Sequence, residues 1–159
     1  MSTKQIFIAS SAELKRERME LVDLMQDMND NLVEQSIKYK PVPWEYMDSS
    51  MRAGRKEDEY LAKLRECDIC IVLFWQILGE YTVEELDVAV EEMRSGRCPK
   101  EVYVFFKEPA ENASGELISF KENFCNKYQL NPETFNDIRS LRKLVEGILQ
   151  SFITNIKGI

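Results

Sequence analysis

Seven consecutive apolar residues, Ile69-Cys70-Ile71-Val72-Leu73-Phe74-Trp75, bounded by Asp68 and Gln76, constrain this chain more than any other stretch. Such a run reads as a strand covered on both faces, the pattern of central strands in parallel sheets. A Gly79-Glu80-Tyr81-Thr82 loop follows, and then a charged amphipathic helix predicted to open at Val83. At about 100° per residue, Val83, Leu86, Ala89, Val90 and Met93 share one stripe that packs on the sheet, while Glu84, Asp87 and Glu91 face water. Glu85 does neither. It lies on the border of the stripe in the first turn, where a carboxylate can reach a cleft. Thr82-Val83-Glu84-Glu85 is equally a capping box, Thr82 capping the amide three residues on and Glu85 reaching back to the Thr82 amide. Spacing alone leaves both readings of Glu85 open.

With 159 residues the chain is expected to form one domain, 1–159, with a full core and no need of disulfides or metal. A formal charge of −7 argues against a nucleic-acid surface, because phosphate binding needs clustered Lys and Arg. No segment approaches the roughly 18 to 20 apolar residues of a membrane span, and Met1-Ser2-Thr3-Lys4 leads into a strand instead of a signal peptide. A cytoplasmic protein without membrane partners is the expectation. Cys67, Cys70, Cys98 and Cys125 are then reduced thiols. Cys67 and Cys70 form a CxxC, yet the chain has no histidine, and a zinc site needs about four ligands. Buried small hydrophobes are the expectation, with no metal.

Gln5-Ile6-Phe7-Ile8-Ala9 reads as the first strand, and Ser10-Ser11-Ala12-Glu13 as a capping box opening a helix along Leu14, Leu21, Val22, Met25, Met28 and Leu32. Ser10 and Ser11 thus end a strand and begin a helix, where hydroxyls and free amides either bind an anion or ribose or merely cap. In Lys40-Pro41-Val42-Pro43-Trp44-Glu45-Tyr46 two prolines confine a second strand to a sheet edge. Residues 47–55 show no periodicity and read as a mobile loop. A helix over 56–66 should bury Tyr60, Leu61 and Leu64. A strand at 101–106 follows the turn at 95–99. A helix marked by Leu117, Phe120, Phe124 and Tyr128 comes next, then a short fifth strand near 131–135. The last helix, 138–156, carries Leu141, Val145, Ile148, Leu149 and Phe152 in one stripe and reads as a domain boundary within a longer protein.

Strand-helix alternation with one proline-bound edge strand predicts an α/β flavodoxin-like three-layer sandwich, a parallel sheet of four to five strands in the order 2-1-3-4-5. The topological switch point then falls between strands one and three, and ligands bind outside the carboxyl ends there. Ser10, Ser11, the 75–82 loop and Glu85 belong to that place, with Trp44 and Asp48 alongside.

At this level the chain resembles the TIR domains, more specifically bacterial TIR-like families. The likeness rests on Ile6-Phe7-Ile8-Ala9-Ser10-Ser11-Ala12-Glu13-Leu14 with Glu17-Arg18 after it, on Cys67-Asp68-Ile69-Cys70-Ile71-Val72, and on Glu84-Glu85-Leu86. Many TIR domains carry Trp-Cys-x-x-Glu-Leu at that helix; here Thr82-Val83-Glu84-Glu85-Leu86 keeps the Glu-Leu and lacks the Trp-Cys. The resemblance implies an NAD hydrolase cleaving the nicotinamide–ribose bond with Glu85, NAD being a substrate and no cofactor being needed. Trp44, Trp75 and Tyr81 are the expected stacking partners of nicotinamide, and Ser10, Ser11 and Asp48 further substrate contacts. It also implies self-association, with the 47–55 loop reaching a neighbour, a fused or separate sensor domain, and service in anti-phage defence. A non-enzymatic TIR adaptor and a nucleoside deoxyribosyltransferase-like enzyme are the rival expectations.

Overall fold

The structure, a computed structural model, describes residues 2–31, 37–46 and 57–157. In chain order these form β1 (Ser2–Ser10), a 3-10 turn (Ala12–Leu14), α1 (Lys15–Asn31), β2 (Ile37–Pro43), a second 3-10 turn (Trp44–Tyr46), α2 (Glu57–Leu64) and β3 (Ile69–Phe74). Then come α3 (Glu80–Arg94), β4 (Glu101–Lys107), α4 (Gly115–Tyr128), β5 (Glu133–Phe135) and α5 (Ile138–Lys157). The strands make one parallel sheet in the order β2-β1-β3-β4-β5, the predicted order. It is a flavodoxin-like three-layer sandwich.

Strand alternation sorts the core into two layers. Phe7, Ala9, Cys70, Val72, Phe74 and Phe106 meet α2, α3 and α4 through Tyr60, Leu64, Leu86, Ala89 and Phe124. Ile6, Ile8, Ile69, Ile71, Leu73 and Phe105 meet α1 and α5 through Leu21, Met25, Leu141, Val145 and Leu149. All six residues of β3 are buried, as a strand with helices on both faces requires.

The edge strand is closed by side-chain chemistry. Tyr39, Pro41 and Pro43 have the same parity and point their backbone away from β1, and neither proline has an N–H to offer a further strand. Asn29 of α1 occupies the third position, its amide donating to the Tyr39 carbonyl at 2.7 Å while its oxygen accepts the Tyr39 N–H at 2.8 Å. The buried Tyr39 hydroxyl donates to the Leu149 carbonyl of α5 at 2.6 Å, and burial pushes that phenol up to about 12.

Two local expectations are corrected. α3 opens at Glu80, with Gly79 as its N-cap and no side-chain cap, so Thr82 is not the cap. A Cβ on Gly79 would meet Thr82 Oγ1 at 3.0 Å; the missing side chain lets Thr82 fold inward against Gly79 and be buried. Ser10–Glu13 is likewise no capping box: Ser11 caps nothing with its side chain, and Glu13 serves another loop. At the other end of α3 the expected turn is a Schellman motif, Gly96 at φ 78 with Arg97 N–H donating to the Glu92 carbonyl at 2.9 Å. The expectation of buried thiols holds for Cys67 and Cys70, whereas Cys98 is half-buried and Cys125 exposed. Leu32 and the 47–55 loop lie outside the described residues. No described helix is long and apolar enough to cross a membrane.

Candidate functional site

Ser10, the last residue of β1, stands in register with Leu73 near the end of β3. From there the chain turns toward α1 on one face and toward α3 on the other, and a crevice opens between the two departures. A cavity of about 350 Å³ occupies it, toward the lower end of the range for small-ligand sites. Ser10, Ser11 and Ala12 form one wall, Trp44 and Tyr60 the side toward the sheet edge, and Gly79, Glu80, Tyr81 and Thr82 the opposite wall. Four of the residues predicted for the site, Ser10, Ser11, Trp44 and Tyr81, are thereby brought together.

Trp75 does not join them. It continues the parity of Ile71 and Leu73 and so packs toward the α1 and α5 layer. Its indole N–H donates to the Pro109 carbonyl at 2.8 Å, and the Lys107 ammonium lies 4.2 Å from its ring centroid. It lines a separate cavity of about 320 Å³ between the end of β4 and α4. Asp48 lies outside the described residues.

Glu85 sits deeper than the border position expected of it, only 4% exposed. Because α3 begins three residues before the predicted start, Glu85 falls in the second turn, one turn beyond Tyr81 and Thr82 and outside the cavity lining. Its charge acts on Cys70, the second residue of β3, whose thiol is pushed well up, chiefly by burial and further by Cys67 and Glu85. Glu84, its neighbour, is exposed as predicted.

The groups that hold the cavity walls are not among the residues predicted for the site. Arg18 of α1 is fully buried, and its guanidinium forks onto Glu45 with Nε 3.1 Å from both carboxylate oxygens and Nη2 2.6 Å from Oε2. Nη1 donates to the Ser11 carbonyl at 2.8 Å and to the Ser10 hydroxyl, and the guanidinium lies 5.7 Å from the Trp44 ring centroid. A buried charge pair persists only with such near-complete satisfaction. Glu13 Oε2 accepts from the Ser11 hydroxyl at 3.0 Å and from the Gln76 and Ile77 amides at 3.1 and 2.8 Å, fixing the loop into α3. Glu17, also buried, takes the Lys107 ammonium at 2.6 Å. The signal for two of these was present in the pattern: positions 14, 17, 18, 21, 22 and 25 form the inward stripe of α1, and two of them are charged.

Chemically the cavity lining includes the hydroxyl-bearing residues Ser10, Ser11 and Thr82, the carboxylate residue Glu80, and the aromatic residues Trp44 and Tyr81. Among the described residues no group of carboxylates and thiols is placed to hold a metal ion. Fold and cavity together define a doubly wound α/β protein with a ligand-sized cavity at its topological switch point. Neither a protein-family model nor a curated protein sequence matches the chain.

Proposed function

We propose that this chain is a cytoplasmic NAD hydrolase of the TIR type, an effector in anti-phage defence, with Glu85 as its catalytic carboxylate and Ser10, Ser11, Trp44 and Tyr81 as substrate contacts. One observation carries the reading. Glu85 is withdrawn from water in α3, one helical turn beyond Tyr81 and Thr82, which line the cavity at the switch point. Carboxylates are rarely so buried unless they are paired or put to use, and buried ionisable groups beside a cleft are enriched at functional sites.

Breaking the nicotinamide–ribose bond leaves the electron pair with nicotinamide and an oxocarbenium-like centre on the sugar, which water then captures with loss of a proton. A carboxylate beside the ribose stabilises that cation or binds its hydroxyls, and neither histidine nor metal is required. For Glu85 to act, the ribose lies at the inner end of the cavity, beside Thr82 and Tyr60. The distance of Glu85 from the cavity lining, together with the exposed apolar side chains of Ile77 and Ile118, favours a second reading, a self-association module without activity.

Free nicotinamide measured after incubating the pure chain with NAD separates the two. Glu85→Gln is expected to cut the rate by about 10²–10³, a typical loss for one preorganised electrostatic group, whereas the exposed Glu84→Gln keeps most of it. Specific activity should also rise with protein concentration, since self-association is part of the reading. Equal behaviour of the two variants removes Glu85 from the chemistry, and no release at any concentration leaves the second reading.

A further inference from the structure

We infer that Arg18 is a positioning residue of the cavity, and that by fixing Ser10 it makes the Ser10 hydroxyl the hydrogen-bond donor that selects ligands presenting an oxygen acceptor, as a ribosyl group does. The inference deepens the functional reading at the same site and depends on it for the choice of NAD as probe.

Three of the groups that Arg18 touches, the Ser10 hydroxyl, the Ser11 carbonyl and the Trp44 ring, belong to residues of the cavity wall, while Arg18 itself is inaccessible. Arginine only donates, so the Ser10 oxygen is an acceptor toward Nη1 and its own proton is what remains to be offered. In the structure that proton goes to the Ser11 carbonyl at 3.0 Å. The same carbonyl already accepts from Arg18 at 2.8 Å and from the Leu14 amide at 3.2 Å. Turning the Ser10 proton to a ligand oxygen therefore leaves no buried acceptor unsatisfied. The adjacent cation polarises the hydroxyl and strengthens it as a donor. Glu45 closes the other edge of the guanidinium with a fork that holds it in one orientation, so Ser10 is aimed and not merely tethered.

The test uses the fact that the chain has two tryptophans. Trp75→Phe leaves Trp44, on the cavity wall and over Arg18, as the sole emitter. Saturable quenching by NAD then reports occupancy, with AMP and nicotinamide mononucleotide as separate probes of the two halves. Ser10→Ala, and the paired Arg18→Gln/Glu45→Gln that removes both charges of the pair together, are each expected to weaken NAD binding about tenfold, the loss of one hydrogen bond. Combining all three substitutions should again give about tenfold, because the paired change acts only through the donor that Ser10→Ala removes. Melting curves of the same variants check that the fold is kept; should the paired variant fail to fold, Arg18→Lys, which keeps the charge but cannot fork onto Glu45, takes its place in the same cycle with Ser10→Ala.

An affinity equal to the parent's in either variant, or losses that multiply to about a hundredfold in the combination, overturns the inference. So does the absence of quenching by all three probes. Nicotinamide release is followed in parallel. Binding with the expected coupling but without turnover upholds the role of Arg18 and defeats the hydrolase reading. Turnover that is indifferent to Ser10 and Arg18 does the reverse.

Discussion

Glu13→Ala should release the loop that forms one wall of the cavity while leaving the sheet intact. Glu13 Oε2 holds two backbone amides, Gln76 and Ile77, and hydrogen bonds to a charged group contribute about 1.5–3 kcal/mol each. Two effects reduce the sum. The Ile77 amide sits at the surface, in a residue 55% exposed, and recovers much of its loss from water. The other carboxylate oxygen, Oε1, is buried without a hydrogen-bond partner among the described residues, and its removal returns about 1–3 kcal/mol. The net cost should be about 1–2 kcal/mol, visible as a small fall in the urea midpoint. Local opening should change more. Hydrogen exchange at Gln76 and Ile77 should accelerate about tenfold or more, and the change should reach Ser114, whose amide donates to the Gln76 carbonyl at 2.9 Å. Exchange at β3 should stay as it was, because its protection comes from the sheet. Glu13→Gln, which keeps one acceptor oxygen, should fall between. Unchanged exchange at Gln76 and Ile77 in Glu13→Ala would refute the idea that this carboxylate holds the wall.

The thiols should react with a disulfide reagent in the order Cys125, then Cys98, with Cys67 and Cys70 silent until the chain unfolds, since burial pushes the Cys67 thiol up to about 12 and the Cys70 thiol well up too; early reaction at Cys70 contradicts its position in the core. Stability should also fall with alkaline pH. The unfolded chain begins to release the Tyr39 proton near pH 10, while the folded chain keeps it until about 12, so stability is full below 10 and drains between the two values. Tyr39→Phe should lessen the fall of the urea midpoint over that window, Tyr103 and Tyr128 keeping the rest, and an identical slope in both proteins would show that folding leaves the Tyr39 phenol unshifted.

The sheet could be read from the sequence because strand order was constrained by two independent features, the fully apolar β3 and the prolines of β2. The prolines act through a missing backbone N–H and the apolar run through side chains that must be covered on both faces, so each limits where its strand can lie. The start of α3 could not, because the capping signature at Thr82 contributes only about 0.5–2 kcal/mol, and Gly79 allows a different closure in which Thr82 packs inward. Moving the start moved Glu85 from the cleft border to the interior. Trp75 stands apart from the other candidates for a simpler reason: strand parity assigns it to the opposite layer, however near it lies to Glu85 in sequence. Arg18 and Glu17 were legible as charges in the inward stripe of α1, but their partners, Glu45 and Lys107, stand 27 and 90 residues away and only the folded chain pairs them.

The charged opening of α1 bears on how the site is built. Within six residues Glu13, Glu17 and Arg18 each reach a different segment at the carboxyl end of the sheet: the loop after β3, Lys107 at the end of β4, and Glu45 after β2. Apolar side chains of similar size at 17 and 18 would fill the same stripe, and buried ion pairs replaced in that way are often neutral or stabilising. Stability therefore does not account for them. Hydrogen-bonded charges have directions that apolar contacts lack, so each pair fixes where a loop leaves the sheet as well as how firmly it is held. The 3-10 turn and the first turn of α1 together thus set the relative positions of the loop ends that line both cavities. Substitutions in these two turns should alter ligand affinity at residues they never touch.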